Sequence, residues 1–343
     1  MLWGKFVIHC SSFIIVIVLS LFRTNQALAN IFVLIYLMVL RLSTFIHPKI
    51  DIPKGQGIMS VWVYDWITPN SIGAQIVALL LVFIQAVLVN QLVGRYRLTG
   101  EGTLLPGVFY CLVASFTPEF LSLSPLLMGN TFLIIAVYNL FAVYKNVRCA
   151  DTIFDIGLWI GVASLFQFSF SILVIWAIVG LAILRSISLK EIMMVILGFL
   201  VPNFLMGVYL YYNNSLPSFF QNHIAENIGF LHMLDKSLPL DYIKIGIIGV
   251  LILITVLTSG RFFSKRNMAA QKYISILFWL MFFAATTLLV QSNFHMGHLV
   301  IFAIPLGILL ALTFINIPPA IAEALHTLLF VSALLFQFEY MLV

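Results

Sequence analysis

Residues 130–185, NTFLIIAVYNLFAVYKNVRCADTIFDIGLWIGVASLFQFSFSILVIWAIVGLAILR, read as one membrane span, a short basic turn and a hairpin of two further spans. Apolar runs of roughly 17–25 residues are what an α-helix needs to cross a hydrocarbon core. The pattern continues on both sides, with apolar segments at 6–22, 27–46, 72–93, 104–116, 126–144, 152–168, 170–184, 192–212, 243–259, 273–290, 299–315 and 320–342. A backbone inside lipid must satisfy its own hydrogen bonds, so these segments read as helices. The expected fold is all-α, a polytopic integral membrane bundle of about 10–12 transmembrane helices. Residues 1–343 form a single transmembrane domain, and 213–240 form its longest extracytoplasmic loop.

Composition supports this class. The chain is 62% hydrophobic and 8% charged, with a mean hydropathy of +1.12. No soluble domain covers itself with so little polar surface. The net charge of +5 sits mostly in short turns between spans, so it reports topology and not a nucleic-acid partner. Cys10, Cys111 and Cys149 lie in or beside apolar segments without CxxC spacing, which implies neither a disulfide framework nor a zinc site. The first apolar segment lacks a small-x-small cleavage site and reads as a retained segment.

The turns alternate in charge. Arg95 and Arg97, Lys145 and Arg148, Arg185 and Lys190, and Arg261, Lys265, Arg266 and Lys272 fall on every second one. By the positive-inside rule these face the cytoplasm, and 47–70, 117–125, 213–240 and 291–298 face outward. A tag at residue 227 is therefore expected to be reached from outside and one at 265 only from inside. The reverse pattern of labelling would overturn this assignment.

Titratable groups gather on the outward side: His47, His223, His232, His295 and His298, with Asp51, Asp65, Glu119, Glu226, Asp235 and Asp241. Outward loops must be polar to face water, yet such clustering also marks a site at that membrane face. Glu119, between Pro118 and Pro125, and Asp65 are candidate general bases able to activate an acceptor hydroxyl. Arg41 lies inside a span, where a guanidinium either reaches headgroups or clamps a phosphate. His295 and His298, and likewise His223 and Glu226, have a spacing that suits acceptor binding or a metal. The metal question stays open. Gln85, Asn90 and Asn130 are span amides of the kind that join helices. No P-loop, dinucleotide fingerprint or nucleophile elbow is present, so no cofactor is assigned.

Several stretches carry a resemblance: LFRTNQ at 21–26, LRLSTFI at 40–46, the run from Asn90 to Ile134, the run from Phe154 to Ser186, and LGFLVPNF at 197–204. Over roughly residues 21–210 the chain resembles a family of polytopic inner-membrane proteins of Bacteroidota. That implies a multi-pass protein of the bacterial inner (cytoplasmic) membrane. It also resembles, more weakly, the polyprenyl-phosphate-dependent GT-C glycosyltransferases. Their usual acidic pair is missing, and only the single acids Asp51 and Asp65 stand on the corresponding first long outward loop. This second resemblance implies polyprenyl phosphate as the membrane-lipid partner and sugar transfer at the periplasmic face. Two other readings stand beside it. One is a non-catalytic subunit with protein partners in a secretion or motility assembly. The other is a flippase or carrier, for which Gly198, Pro202 and Pro305 would supply breaks in the helices.

Overall fold

A helix that is apolar on every side must be enclosed by protein or by lipid, and this chain uses both solutions. The computed structural model describes residues 17–23, 29–46, 57–69, 71–100, 102–146, 148–220, 239–290 and 295–338. The sequence candidates His47, Asp51, His223, Glu226, His232 and Asp235, and the first part of the 6–22 segment, lie outside them.

The helices are α1 (Ile17–Phe22), α2 (Ala29–Leu40), α3 (Leu42–Ile46), α4 (Ile58–Trp66), α5 (Ile72–Arg95), α6 (Leu105–Val113), α7 (Pro125–Ala142) and α8 (Ala150–Phe166). They continue as α9 (Leu173–Leu184), α10 (Leu189–Tyr212), α11 (Leu216–Phe219), α12 (Pro239–Phe263), α13 (Met268–Val290), α14 (Ala303–Ile315) and α15 (Pro319–Gln337). Short 3-10 segments at Pro118–Phe120, Phe168–Ile172 and Met296–Phe302 precede α7, α9 and α14. Among the described residues no strand occurs. Among the described residues, seven helical segments are long and apolar enough to cross a membrane: α5, α7, α10, α12, α13, Met296–Ile315 and α15. The shorter apolar helical segments are Asn30–Leu40 and Phe168–Leu184. This is an all-α, multi-pass integral membrane protein. The outward stretch 47–70, expected as a loop, contains the helix α4.

At the centre stand α6 and α14. Every residue of α6 is buried, as is α14 from Ala303 to Phe314. They touch backbone to backbone at Gly307, where a Cβ would come within 2.9 Å of Tyr110 main-chain atoms. Around them, α5 packs on α6 and α12 packs on α14. The periphery shows apolar side chains such as Phe204 and Leu205 on α10 and Leu253 and Leu257 on α12. On a membrane protein such a face meets lipid.

The seam between α8 and α10 is built on small residues. A Cβ on Gly157 would lie 2.0 Å from the Val195 carbonyl oxygen, and one on Gly198 2.2 Å from that of Phe154. Gly161 receives the Pro202 ring, whose Cγ would be 2.6 Å from its Cβ. With no hydrophobic drive between helices in lipid, close backbone approach of this kind supplies the association energy. Gly198 and Pro202 are thus packing residues inside an uninterrupted α10. Pro305 lies in the first turn of α14, where its missing N–H breaks no helical bond. The helix breaks that a carrier would need are not found at these three positions.

Span amides join the helices. The Gln85 side chain donates to the Leu127 carbonyl (2.7 Å) and accepts from the Tyr110 hydroxyl (2.7 Å). Asn90 Oδ1 accepts from the Gly107 N–H at 2.7 Å, and Asn130 Nδ2 donates to the Val300 carbonyl at 3.0 Å.

The alternation of charge along the chain becomes a separation in space. At one end Arg185 donates to the Asn146 carbonyl (3.1 Å) and Lys272 to that of Leu184 (3.0 Å), while Arg95 and Lys272 lie over the rings of Tyr138 and Tyr144. At the other end, 114–125 meets Arg41 between α2 and α3, α4, α12 and the last turn of α15. These are the basic end and the histidine end below.

Candidate functional site

The chain between α6 and α7 has to turn at the histidine end without a regular helix to satisfy its carbonyls. Such groups cost free energy at membrane depth unless a donor reaches them. Arg41 reaches them. It sits between α2 and α3 and is 1% exposed. Its Nε donates to Ser115 Oγ (3.1 Å), its Nη1 to the Leu121 carbonyl (3.0 Å), and its Nη2 to the carbonyls of Ala114 (3.2 Å) and Phe120 (3.1 Å). Gln337 Nε2 donates to the Ser115 carbonyl at 2.7 Å and its Oε1 accepts from Ser43 at 3.0 Å. From the other side, the Tyr64 hydroxyl donates to the Leu123 carbonyl at 2.7 Å. Burial raises the pKa of that phenol and keeps it a donor. Ser124 then caps α7 by accepting from the Leu127 N–H, and Pro125 opens the helix.

This turn presents Glu119. Its carboxylate Oε1 accepts from Lys244 Nζ at 3.0 Å, and Lys244 also reaches Asp241 Oδ1 at 3.3 Å. The lysine is 1% exposed, whereas each acid is 17% exposed. Removing such a lysine would take an ion-pair partner from both acids. Glu119 Oε2 is buried and has no hydrogen-bond partner among the described residues. Glu119 lines a cleft together with Ser122, Ser124, Leu126, His295, Gly297 and His298. The cleft encloses about 10 Å³, room for about one water molecule. The histidine wall is rigid because His298 is 1% exposed. Its Nδ1 lies 3.1 Å from the His295 N–H and 2.9 Å from the His295 carbonyl, accepting from one or donating to the other according to tautomer. The expected loop at 295–298 is therefore the start of a 3-10 helix.

Three of the five sequence candidates, Glu119, His295 and His298, meet in one cleft. Asp65 is exposed on α4 and does not line it. Arg41 also stays outside the lining, and four of its five N–H donors are engaged by the protein itself. Its described contacts are those of a support for the Glu119 turn. Arg41→Leu would strip donors from a buried hydroxyl and three carbonyls, at about 1–3 kcal/mol for each buried acceptor left unsatisfied. A clear fall in the Tm of the detergent-solubilised protein is expected; an unchanged Tm with lost lipid binding would favour a phosphate clamp.

Lys244 is the member that sequence reading passed over. Its signal was a lone cation in the apolar run DYIKIGIIGV, since a charge at that position needs a partner. Among the described residues, no group of three His, Cys, Asp or Glu side chains could hold a metal ion.

No family model matches the chain, and no curated protein matches it. A solved structure does. The crystal structure of ArnT from Cupriavidus metallidurans bound to undecaprenyl phosphate superposes with a TM-score of 0.50 at 13% sequence identity. The match covers 92% of this chain and 61% of that one, so this chain is similar in fold to less than two thirds of ArnT.

Proposed function

We propose that this protein transfers a sugar or oligosaccharide from a polyprenyl-phosphate donor to an acceptor hydroxyl at the histidine end of the bundle. The observation that carries the reading is Glu119, a lining residue of the cleft: one carboxylate oxygen is ion-paired to buried Lys244, and the other is buried without a partner among the described residues. A carboxylate oxygen so placed can accept the proton of a hydroxyl entering the cleft. The hydroxyl oxygen then forms a bond to the anomeric carbon as that carbon's bond to the lipid phosphate breaks, and the electron pair leaves with the phosphate. In this reading Ser122, Ser124 and His295, which line the same cleft, would contact the acceptor hydroxyl, while Lys244 and Arg41 position the base. Asp65 stays outside this assignment because it does not line the cleft. The fold likeness to ArnT, whose structure holds undecaprenyl phosphate, supports a lipid-phosphate partner. So does the resemblance of the sequence to GT-C glycosyltransferases.

Native mass spectrometry of protein gently extracted from its own membrane tests this. A polyprenyl-phosphate lipid is expected to travel with the wild type and with Glu119→Gln alike. A stoichiometric protein partner with no such lipid would overturn the reading in favour of a non-catalytic subunit.

A further inference from the structure

A second feature, outside the Glu119 cleft, lies at the opposite, basic end. It is a cavity of about 410 Å³ between the turns after α1, α5 and α12. Pockets for small ligands run from roughly 300 to 1,000 Å³. Arg23, Thr99, Gly100, Thr103 and Arg266 supply its polar lining, and Leu105 and Ile315 its apolar side.

The polar side is a built arrangement. Gly100 has a φ of +80°, and a Cβ there would come within 2.3 Å of Arg266 Nη1, so the guanidinium lies against bare backbone. The Arg266 main chain is held in place: its N–H donates to the Phe263 carbonyl (3.2 Å) and its carbonyl accepts from Gln271 Nε2 (3.0 Å). Across the cavity, Thr103 Oγ1 donates to the Phe22 carbonyl (3.0 Å) and the Leu104 N–H bonds the same carbonyl (2.9 Å). These bonds tie the end of α1 to the start of α6 and set Arg23, the next residue, on the rim. Topology alone asks only for cations near this end. It does not ask for two arginines about one cavity with a glycine shaped to one of them.

We propose that this cavity is an anion site for a phosphate group. Two guanidiniums offer the planar donor forks that match phosphate oxygens. Basic pockets between helices at the cytoplasmic surface suit phospholipid headgroups. Leu105 and Ile315 would give an acyl-bearing ligand an apolar wall. The phosphate comes either from a phospholipid of the same leaflet or from a soluble phosphate compound.

The test uses the full chain purified in an uncharged detergent, with short-chain phosphatidylglycerol and inorganic pyrophosphate as separate probes. The wild type is expected to bind at least one of them. Arg23→Gln and Arg266→Gln are each expected to weaken that binding about tenfold, the size of a lost charge-assisted hydrogen bond. Arg95→Gln, which removes a basic-end cation outside the cavity lining, is expected to leave it unchanged. Binding of phosphatidylglycerol alone assigns a lipid headgroup, and displacement of it by pyrophosphate assigns a site open to free phosphates. Arg23 is exposed, so its variant reads binding without testing the fold. Absence of binding by either probe, or an equal loss in Arg95→Gln, would overturn the proposal.

Discussion

Glu119→Gln is expected to abolish sugar transfer while the protein still folds and still carries its lipid. Loss of a positioned general base typically lowers a rate by about 10²–10⁴-fold. The amide keeps the shape of the side chain and removes its negative charge and its ability to take a proton. Lys244 still has Asp241 at 3.3 Å in this variant, so the buried ammonium is not left without an acid. Asp65→Asn, altering an exposed acid outside the cleft, is expected to retain activity. Turnover measured in membranes from cells making each variant, normalised to protein, separates the two. Full activity in Glu119→Gln would remove this residue from the chemistry.

The second large effect is structural. Gly157→Leu is expected to abolish accumulation of folded protein. Even the first carbon of the new side chain would sit 2.0 Å from the Val195 carbonyl oxygen. Overpacking costs typically about 1–3 kcal/mol where side chains can yield. Here the obstacle is main chain, and the whole of α10 would have to move. Gly207 on the same α10 offers the control, because a Cβ there meets nothing within 4 Å. Gly207→Ala is expected to behave as the wild type by size-exclusion chromatography and thermal melting. Equal behaviour of the Gly157 and Gly207 variants would mean that the α8–α10 seam does not hold the bundle.

Much of this fold was legible because the bilayer imposes simple demands. Apolar length marks helices, and the placement of Arg95, Lys145, Arg185 and Lys265 marks one end. The convergence of Glu119 with His295 and His298 was also within reach, since each lies on a turn assigned to the same face. What escaped were the pairings across the bundle. Arg41 reads as a charge in search of an anion, but its partners are the carbonyls of Ala114, Phe120 and Leu121, and a carbonyl has no letter in the sequence. Lys244 finds Glu119 across 125 positions of chain. The Gly157–Gly161 pair fits the small-xxx-small pattern, but nothing local shows which helix will lie against it.

The enclosure of α6 has a consequence for biogenesis. Its nine residues rise only about 14 Å, against a hydrocarbon core of roughly 30 Å. An insertion machinery that samples segments one at a time would find too little here to release into lipid. α6 must therefore enter together with α5 or α7, as half of a hairpin. Its final place opposite α14 becomes available only after the chain has been made through residue 315, so the centre of this protein closes late.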